Sequence, residues 1–540
     1  MAEARAASTA AVAQGSAQGG PRAGIFPPAA LEAMDVCIKC GFCLPSCPTY
    51  LLTGNELHSP RGRIHLAEEA ERGSLPISAL AESFAFCVHC RACESACPSG
   101  VHYTSVLTAA RAALRAARAD EAGVAGRGRA PAADGAAAPE PKPAADGAAA
   151  LERAPAPLPR RPLWVRRLEW WLLRVFAPHP AVWTLGRWAL WAWRRGPDRL
   201  ARRLGWLRRL PWPLGELEAV LPDPAARRQE GAAALPHAAG RAAAPAACCS
   251  FPPPAAFFRG CVSETLFRSA NEAARRALEA AGWTVAVPAG QTCCGALHAN
   301  AGDLEAARRL ARRNIEAFER APGPIVSTAG GCGAHMREYP ALFAGDAAWR
   351  ARAEAFAARV RDVSQLLREA PLTARSVAGP AGAGPAAPHG PVALRADSAG
   401  APPERRPLRV AYVDSCHLRH GQKVAREPRD VLDRLPGVER VELPEADLCC
   451  GSGGTYTFSQ PGASAALGER KAAHVRAAGV EVVVVANPGC YLQMLWALRR
   501  AGLSGVRVMH LAELAAERLA AVPEAAAAPA PAPAPGEGEG

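Results

Sequence analysis

The sequence lacks most features that would give it a substrate of its own. It carries no dinucleotide fingerprint: its glycine-rich stretches lie in low-complexity segments or beside cysteines, so no nucleotide cofactor is expected on this chain. No general base or substrate pocket can be inferred. No nucleic-acid recognition module accompanies the basic balance of +13. Residues 1–24 have neither the leucine-rich run of a secretory leader nor a twin-arginine pair, which points to a reducing compartment. No stretch reads as a membrane span. The longest uncharged candidate, 482–498, is broken by Pro488-Gly489 and reads as strand, turn and helix.

What is present is cysteine, 18 of them in 540 residues. With no leader, metal-bound thiolates fit better than a disulfide framework. The 49 Gly and 50 Pro are concentrated in Ala/Pro-rich stretches, so the folded length is well below the full length. The expected organisation is a disordered tail (1–24), a cysteine-rich helical module (25–117), a linker (118–159), a Trp/Arg-rich segment (160–222), a linker (223–254), a first larger module (255–373), a linker (374–407), a second larger module (408–521) and a disordered tail (522–540).

Two runs near the N-terminus share one spacing. The first is Cys37-x2-Cys40-x2-Cys43-x3-Cys47-Pro48 and the second Cys87-x2-Cys90-x2-Cys93-x3-Cys97-Pro98. Three thiolates two residues apart wrap one 4Fe–4S cubane, and the cysteine before the proline is carried to the neighbouring one. The expected ligand sets are therefore Cys37, Cys40, Cys43 and Cys97 for one cluster, and Cys87, Cys90, Cys93 and Cys47 for the other. Zinc sites use separated Cys-x2-Cys pairs and do not match. The long spacer between the runs indicates a helical ferredoxin module.

The two larger modules are a tandem duplication. Cys261, Cys293-Cys294 and Cys332 reappear as Cys416, Cys449-Cys450 and Cys490, at offsets of 155, 156 and 158 residues. Strands are expected at 255–258, 325–327, 408–413 and 482–485, each ending shortly before a cysteine, and a helix at 304–318. Cysteines at the exits of neighbouring strands can converge on one face of an α/β sheet. In both modules Cys-Cys-Gly suggests a tight turn that aims two thiols at one site, so all eight are candidate cofactor ligands. Cys248-Cys249 lies in a linker without a following glycine and is expected not to ligate.

Nine of the twelve Trp and thirteen Arg lie between 160 and 212, against only Glu169 and Asp198, a local net charge of +11. At about 100° per residue, Trp164, Val165, Leu168, Trp171, Leu172, Val175 and Phe176 share an arc, with Trp170 and Leu173 outside it. Such a helix can lie in a bilayer interface with its arginines on anionic lipid. Equally, it can form a hairpin packed on a partner subunit or on the chain's own modules.

Domain order and local motifs give a resemblance. The motifs are Ser59-Pro-Arg-Gly-Arg-Ile64, Cys293-Cys-Gly-Ala-Leu-His298, Ala329-Gly-Gly-Cys-Gly333, Cys416-His-Leu-Arg-His420, Cys449-Cys-Gly-Ser-Gly-Gly-Thr-Tyr456 and Asn487-Pro-Gly-Cys490. Together they resemble the iron–sulfur subunits of bacterial glycolate oxidase and, more broadly, the cysteine-rich (CCG) domain proteins related to heterodisulfide reductase. The resemblance implies a multidomain α/β fold with a helical ferredoxin module and two CCG domains. It also implies two 4Fe–4S clusters, possible further clusters in the CCG domains, flavin-containing partner subunits, a quinone or other membrane acceptor, and a cytoplasmic, peripheral location at the inner face of the cell membrane. The substrate would be glycolate. The same architecture could instead serve a lactate or glycerol-3-phosphate dehydrogenase, or a heterodisulfide-reductase-like subunit. One departure stands out: the heterodisulfide-reductase pattern ends each module in Cys-x2-Cys, and here His335 and Gln493 occupy the last position. His335 is then either a fifth ligand or an ordinary buried histidine.

Overall fold

A computed structural model of the chain describes residues 24–127, 163–195 with 197, 200 and 201, 253–370 and 406–520. The expected linkers and tails fall almost wholly outside these residues, as do Cys248 and Cys249. Residues 118–127 are an exception, because the helix Tyr103–Arg127 runs through them.

The N-terminal module is helical. Pro28, Pro48 and Pro60 each open a helix at a position where the missing N–H costs nothing. Its core joins Ile64, Ala67 and Ala70 of the helix Pro60–Glu71 to Leu80, Phe84, and Val106, Leu107, Ala110 and Leu114 of the last helix. Their three- and four-residue spacing puts them on one face.

Each larger module is a four-stranded parallel sheet flanked by helices. The first has β1 (Pro254–Phe258), β2 (Thr284–Ala286), β3 (Ile325–Ser327) and β4 (Val360–Asp362) in the order β2-β1-β3-β4. The second repeats it with β5 (Leu408–Tyr412), β6 (Val438–Val441), β7 (Val482–Val485) and β8 (Arg507–His510), as β6-β5-β7-β8. The pairings are parallel throughout. In this order the chain reverses direction of winding between the two central strands, and ligands in such sheets sit at the carboxyl ends beside that reversal.

The two modules share a core. Phe257, Ala274, Val326 and Leu367 from the first pack in one cluster with Tyr412, Val431, Val484 and Leu514 from the second. The backbone joins them too: Gly330 N–H donates to the Ala486 carbonyl at 3.0 Å, and Gly331 N–H to Asn487 Oδ1 at 3.1 Å.

The Trp/Arg segment forms a helical hairpin, Leu163–Trp171 and Pro180–Arg194, seated on the first sheet module. Phe176, Ala177 and Trp183 join the cluster that contains Phe258, Cys261, Cys293 and Cys294. Trp183 Nε1 donates to the Phe176 carbonyl at 2.7 Å. The arc read from the sequence is corrected here. Leu173, placed outside that arc, is buried together with Val165 and Phe176, whereas Trp171, placed within it, is 41% exposed; a π turn spans Leu172–Phe176. No helix among the described residues is long and apolar enough to cross a membrane.

Candidate metal centres

The two ferredoxin runs adopt matching loops. Lys39 and Gly41 in the first run, and His89 and Arg91 in the second, all have left-handed backbone (φ 54, 87, 59 and 66°). Alternating conformations of this kind turn successive N–H groups inward, where they favour a bound anion. Behind the second run is a small cavity lined by Cys47, Cys87, Cys90 and Cys93 together with Arg63 and Tyr103. Cys47 arrives there from the first run, carried by the Pro48 turn.

The Ser59-Pro-Arg-Gly-Arg motif builds one wall. Ser59 caps the helix by accepting from Gly62 N–H at 3.0 Å. Gly62 is required, because a Cβ would fall 1.9 Å from the Glu56 carbonyl oxygen. Arg61 grips Glu56 through Nε and Nη2 at 3.0 and 2.8 Å. Arg63 is fully buried and donates to the Ser83 carbonyl at 2.8 Å and to Thr49 Oγ1 at 3.0 Å. Burial works against its charge, but Cys87, Tyr103 and Cys47 outweigh burial and hold the guanidinium protonated. A buried cation beside four cysteines fits a site built for a negatively charged thiolate-ligated group.

Cys37, Cys43 and Cys97 are half-buried, and Cys40 is exposed. Burial pushes the Cys43 thiol up to about 11; it also raises Cys37, with Glu68 and Cys97 adding to that rise. Ile38 and Phe42, 70% and 68% exposed, flank this first site.

In the sheet modules the cysteines gather at the carboxyl ends of the strands. Cys261 opens the helix after β1, Cys293-Cys294 lie in the loop after β2, and Cys332 lies in the helix after β3. Cys416, Cys449-Cys450 and Cys490 stand at the same places around β5, β6 and β7. The Cys261 and Cys293 sulfurs are 3.5 Å apart. Hydrogen bonds from Cys261 and Cys294, then the Gly295 N–H and nearby His298, draw the Cys293 thiol well below its usual range. Cys450 is lowered likewise by Cys449 and Cys490, the Ser452 backbone and Lys471. The glycine of each Cys-Cys-Gly turn is left-handed, φ 92° at Gly295 and 90° at Gly451, and Gly295 N–H reaches back to Cys293 Sγ at 3.5 Å.

The buried ferredoxin cavity abuts the second module. Val88, Cys90 and Ala92 pack with Cys449 and Tyr456, with Cys416 against them. Tyr456 Oη donates to the Phe86 carbonyl at 3.0 Å, and His417 Nε2 to the His89 carbonyl at 2.7 Å. Cys90 is raised far above its usual range, first by burial and then by Cys416 and Cys47.

Several supporting residues escaped the sequence reading. Asn314 Nδ2 donates to the Cys293 carbonyl at 3.0 Å, and Tyr339 Oη to the Cys294 carbonyl at 2.8 Å. Lys471, buried behind Cys449-Cys450, donates to the carbonyls of Glu445 and Ala446. His298 Nε2 donates to the Leu173 carbonyl at 2.7 Å and ties the hairpin to the first site. Gln493 is satisfied by Ser464, donating to its carbonyl at 2.9 Å. His335 is buried and, with burial holding its pKa near 4, carries a neutral imidazole. Among the described residues, no three His, Cys, Asp or Glu side chains close on a single point as around one metal ion.

Comparison with known proteins places these features in order. A cysteine-rich domain family matches residues 255–337 and 410–495, and a 4Fe–4S dicluster domain family matches residues 33–101. A probable glycolate oxidase iron–sulfur subunit of Bacillus subtilis is 34% identical over 89% of this chain and 93% of its own length. The glycolate oxidase iron–sulfur subunit of Escherichia coli is 29% identical over 88% and 93%. Lactate utilization protein A of an Exiguobacterium species is 32% identical over 48% of this chain and 95% of its own length.

Proposed function

Because the chain belongs to the family of glycolate oxidase iron–sulfur subunits, we propose that it is the electron-transfer subunit of a membrane-associated 2-hydroxy-acid oxidase, taking electrons from glycolate through a flavin-bearing partner and passing them to a quinone-type acceptor. When bound, iron–sulfur groups supply one-electron carriers. Two 4Fe–4S groups would be held by Cys37, Cys40, Cys43 and Cys97, and by Cys87, Cys90, Cys93 and Cys47. Further groups would be held by Cys261, Cys293, Cys294 and Cys332, and by Cys416, Cys449, Cys450 and Cys490.

The packing of Cys90 against Cys416 and Cys449 carries this reading. It sets an exposed thiol site, a buried one and a sheet-module site in succession. Ile38 and Phe42 around exposed Cys40 offer an apolar surface on which the flavin-bearing subunit can dock. Arg63 and Lys471 place buried positive charge beside the buried thiols, and the apolar cover around them excludes water.

Membrane association is supported by the hairpin. Its inner face is committed to the first module, while Trp170, Leu185 and Trp188 remain exposed on a segment rich in arginine. Binding to vesicles containing phosphatidylserine, lost when Trp170 and Trp188 are replaced by Glu, is the expected result.

The direct test of the function is reduction of the reconstituted complex. Glycolate, added anaerobically to this chain with its flavin-bearing partner, should bleach the visible iron–sulfur absorbance; no bleaching with a competent flavin subunit overturns the proposal. The likeness to a lactate utilization protein favours lactate as the second substrate to assay.

A further inference from the structure

The two sheet modules differ at the position three residues after their last cysteine. In the second module Gln493 has both ends of its amide engaged by Ser464, with Nε2 on the carbonyl at 2.9 Å and Oε1 accepting from Oγ at 3.4 Å. In the first module the same place holds His335, whose Nε2 is buried and has no hydrogen-bond partner. A buried polar nitrogen without a partner is expensive, and in a native structure it points to something that pairs with it.

The direction of that nitrogen is informative. A Cβ at Gly295 would stand 3.4 Å from His335 Nε2, so the nitrogen faces the Cys293-Cys294-Gly295 turn. The ring is fixed edge-on against Tyr339, with centroids 5.6 Å apart. Tyr339 in turn donates to the Cys294 carbonyl and accepts from Asn314, which also holds the Cys293 carbonyl. One rigid network therefore positions both the double-cysteine turn and the imidazole beside it. An imidazole oriented by its surroundings, with a free nitrogen toward a group of thiols, is the arrangement of a metal ligand.

We propose that His335 Nε2 is a metal ligand at the site of Cys261, Cys293, Cys294 and Cys332, which makes the first module a mixed nitrogen–sulfur centre and the second an all-sulfur one. This rests on the reading that the sheet modules hold metal. The nitrogen donor takes the place of the fifth thiol without adding negative charge to a pocket that, unlike the second module, has no buried lysine behind it.

The test uses the full-length chain loaded anaerobically. Release of iron, sulfide and zinc to a chelator is followed for wild type, Cys293→Ser, His335→Gln, His335→Cys and His335→Gly. The metal lost in Cys293→Ser defines the first site. His335→Gln, which places in the first module the side chain that the second tolerates, should release that metal more than about tenfold faster than wild type. His335→Cys should restore retention, and added imidazole should slow release from His335→Gly. The ferredoxin iron, unchanged in every variant, reports that the fold is intact. Release from His335→Gln at the wild-type rate, or no rescue by imidazole, overturns the ligand role while leaving metal in the module. If Cys293→Ser removes neither iron, sulfide nor zinc, the first module holds no metal, and the ligand role falls together with that part of the proposed function.

Discussion

The two sheet modules share strand order, cysteine placement and a left-handed glycine, yet line their sites with opposite chemistry. Behind the first double-cysteine turn lies a neutral network of Asn314, Tyr339 and His335. Behind the second lies Lys471, in the corresponding long helix, with Gln493 tied to Ser464. Burial lowers the Lys471 pKa, while Cys450 and Cys449 counter that and favour its charge. Both modules touch the ferredoxin module, the second packing Cys449 and Tyr456 against Cys90 and the first bonding His89 and Arg91 through Asn300 and Glu338, and the first alone carries the Trp/Arg hairpin in its core. Duplication kept the thiol frame and changed what surrounds it. The second site has a buried lysine behind it, and the first has none among the described residues.

The comparison breaks most visibly at Lys471. Lys471→Met removes the cation and one of the two donors to each of the Glu445 and Ala446 carbonyls, which keep the Leu448 and Asp414 N–H groups, and should cost about 1.5–3 kcal/mol for each charged hydrogen bond lost. Denaturant titration of the loaded chain would measure it, and iron content should fall at the second site alone. A smaller contrast sits at the turn glycines. Either alanine would be forced into left-handed backbone, at about 1–2 kcal/mol. At Gly451 the new methyl would also lie 2.9 Å from the Ser464 carbonyl, whereas at Gly295 the nearest atoms are 3.4 Å away. Gly451→Ala should therefore be the more destabilised of the two, by about 1–3 kcal/mol for the overpacking.

The smallest effect concerns Glu445, whose carbonyl accepts from Lys471 and whose side chain pairs with Arg470 and His474. Its hydrogen bond from Arg470, helped by His474, holds its pKa at about 2, below the ordinary 4.5. A depressed carboxylate contributes stability above its unfolded value and loses it as pH falls toward the folded one. Wild type and Glu445→Gln should thus differ above about pH 4.5 and converge toward pH 2. The pair is about one-third exposed, so the difference should stay below about 1 kcal/mol by thermal unfolding across that range.

Much of this frame was legible before any coordinates. Thiol spacing is a local property, so the runs and the duplication stand in the sequence, as do β1, β3, β5 and β7, which are short apolar runs ending near a cysteine. The four edge strands β2, β4, β6 and β8 are not legible there, because each is only three or four residues long and all but β2 carry charge. Asn314 left a signal that went unused: it falls at the spacing of Leu310, Ala311, Ile315 and Phe318 on the buried face of its helix, a polar residue among apolar ones. Lys471 sits in the same way among Leu467, Ala472 and Val475. The hairpin arc failed for a different reason. Trp and Leu are apolar on either side of the helix, so composition alone does not tell which edge of the arc, Leu173 or Trp171, meets the first module.

The most direct measurement is iron and acid-labile sulfide per chain in anaerobically purified protein, wild type against Cys449→Ser and Cys293→Ser. Two 4Fe–4S groups account for about eight irons. The account predicts more than that in wild type, with a drop in each variant and with the ferredoxin iron retained in both. A wild-type count of about eight, unchanged by either substitution, would contradict it, because the sheet modules would then hold no iron for the buried ferredoxin cavity to face.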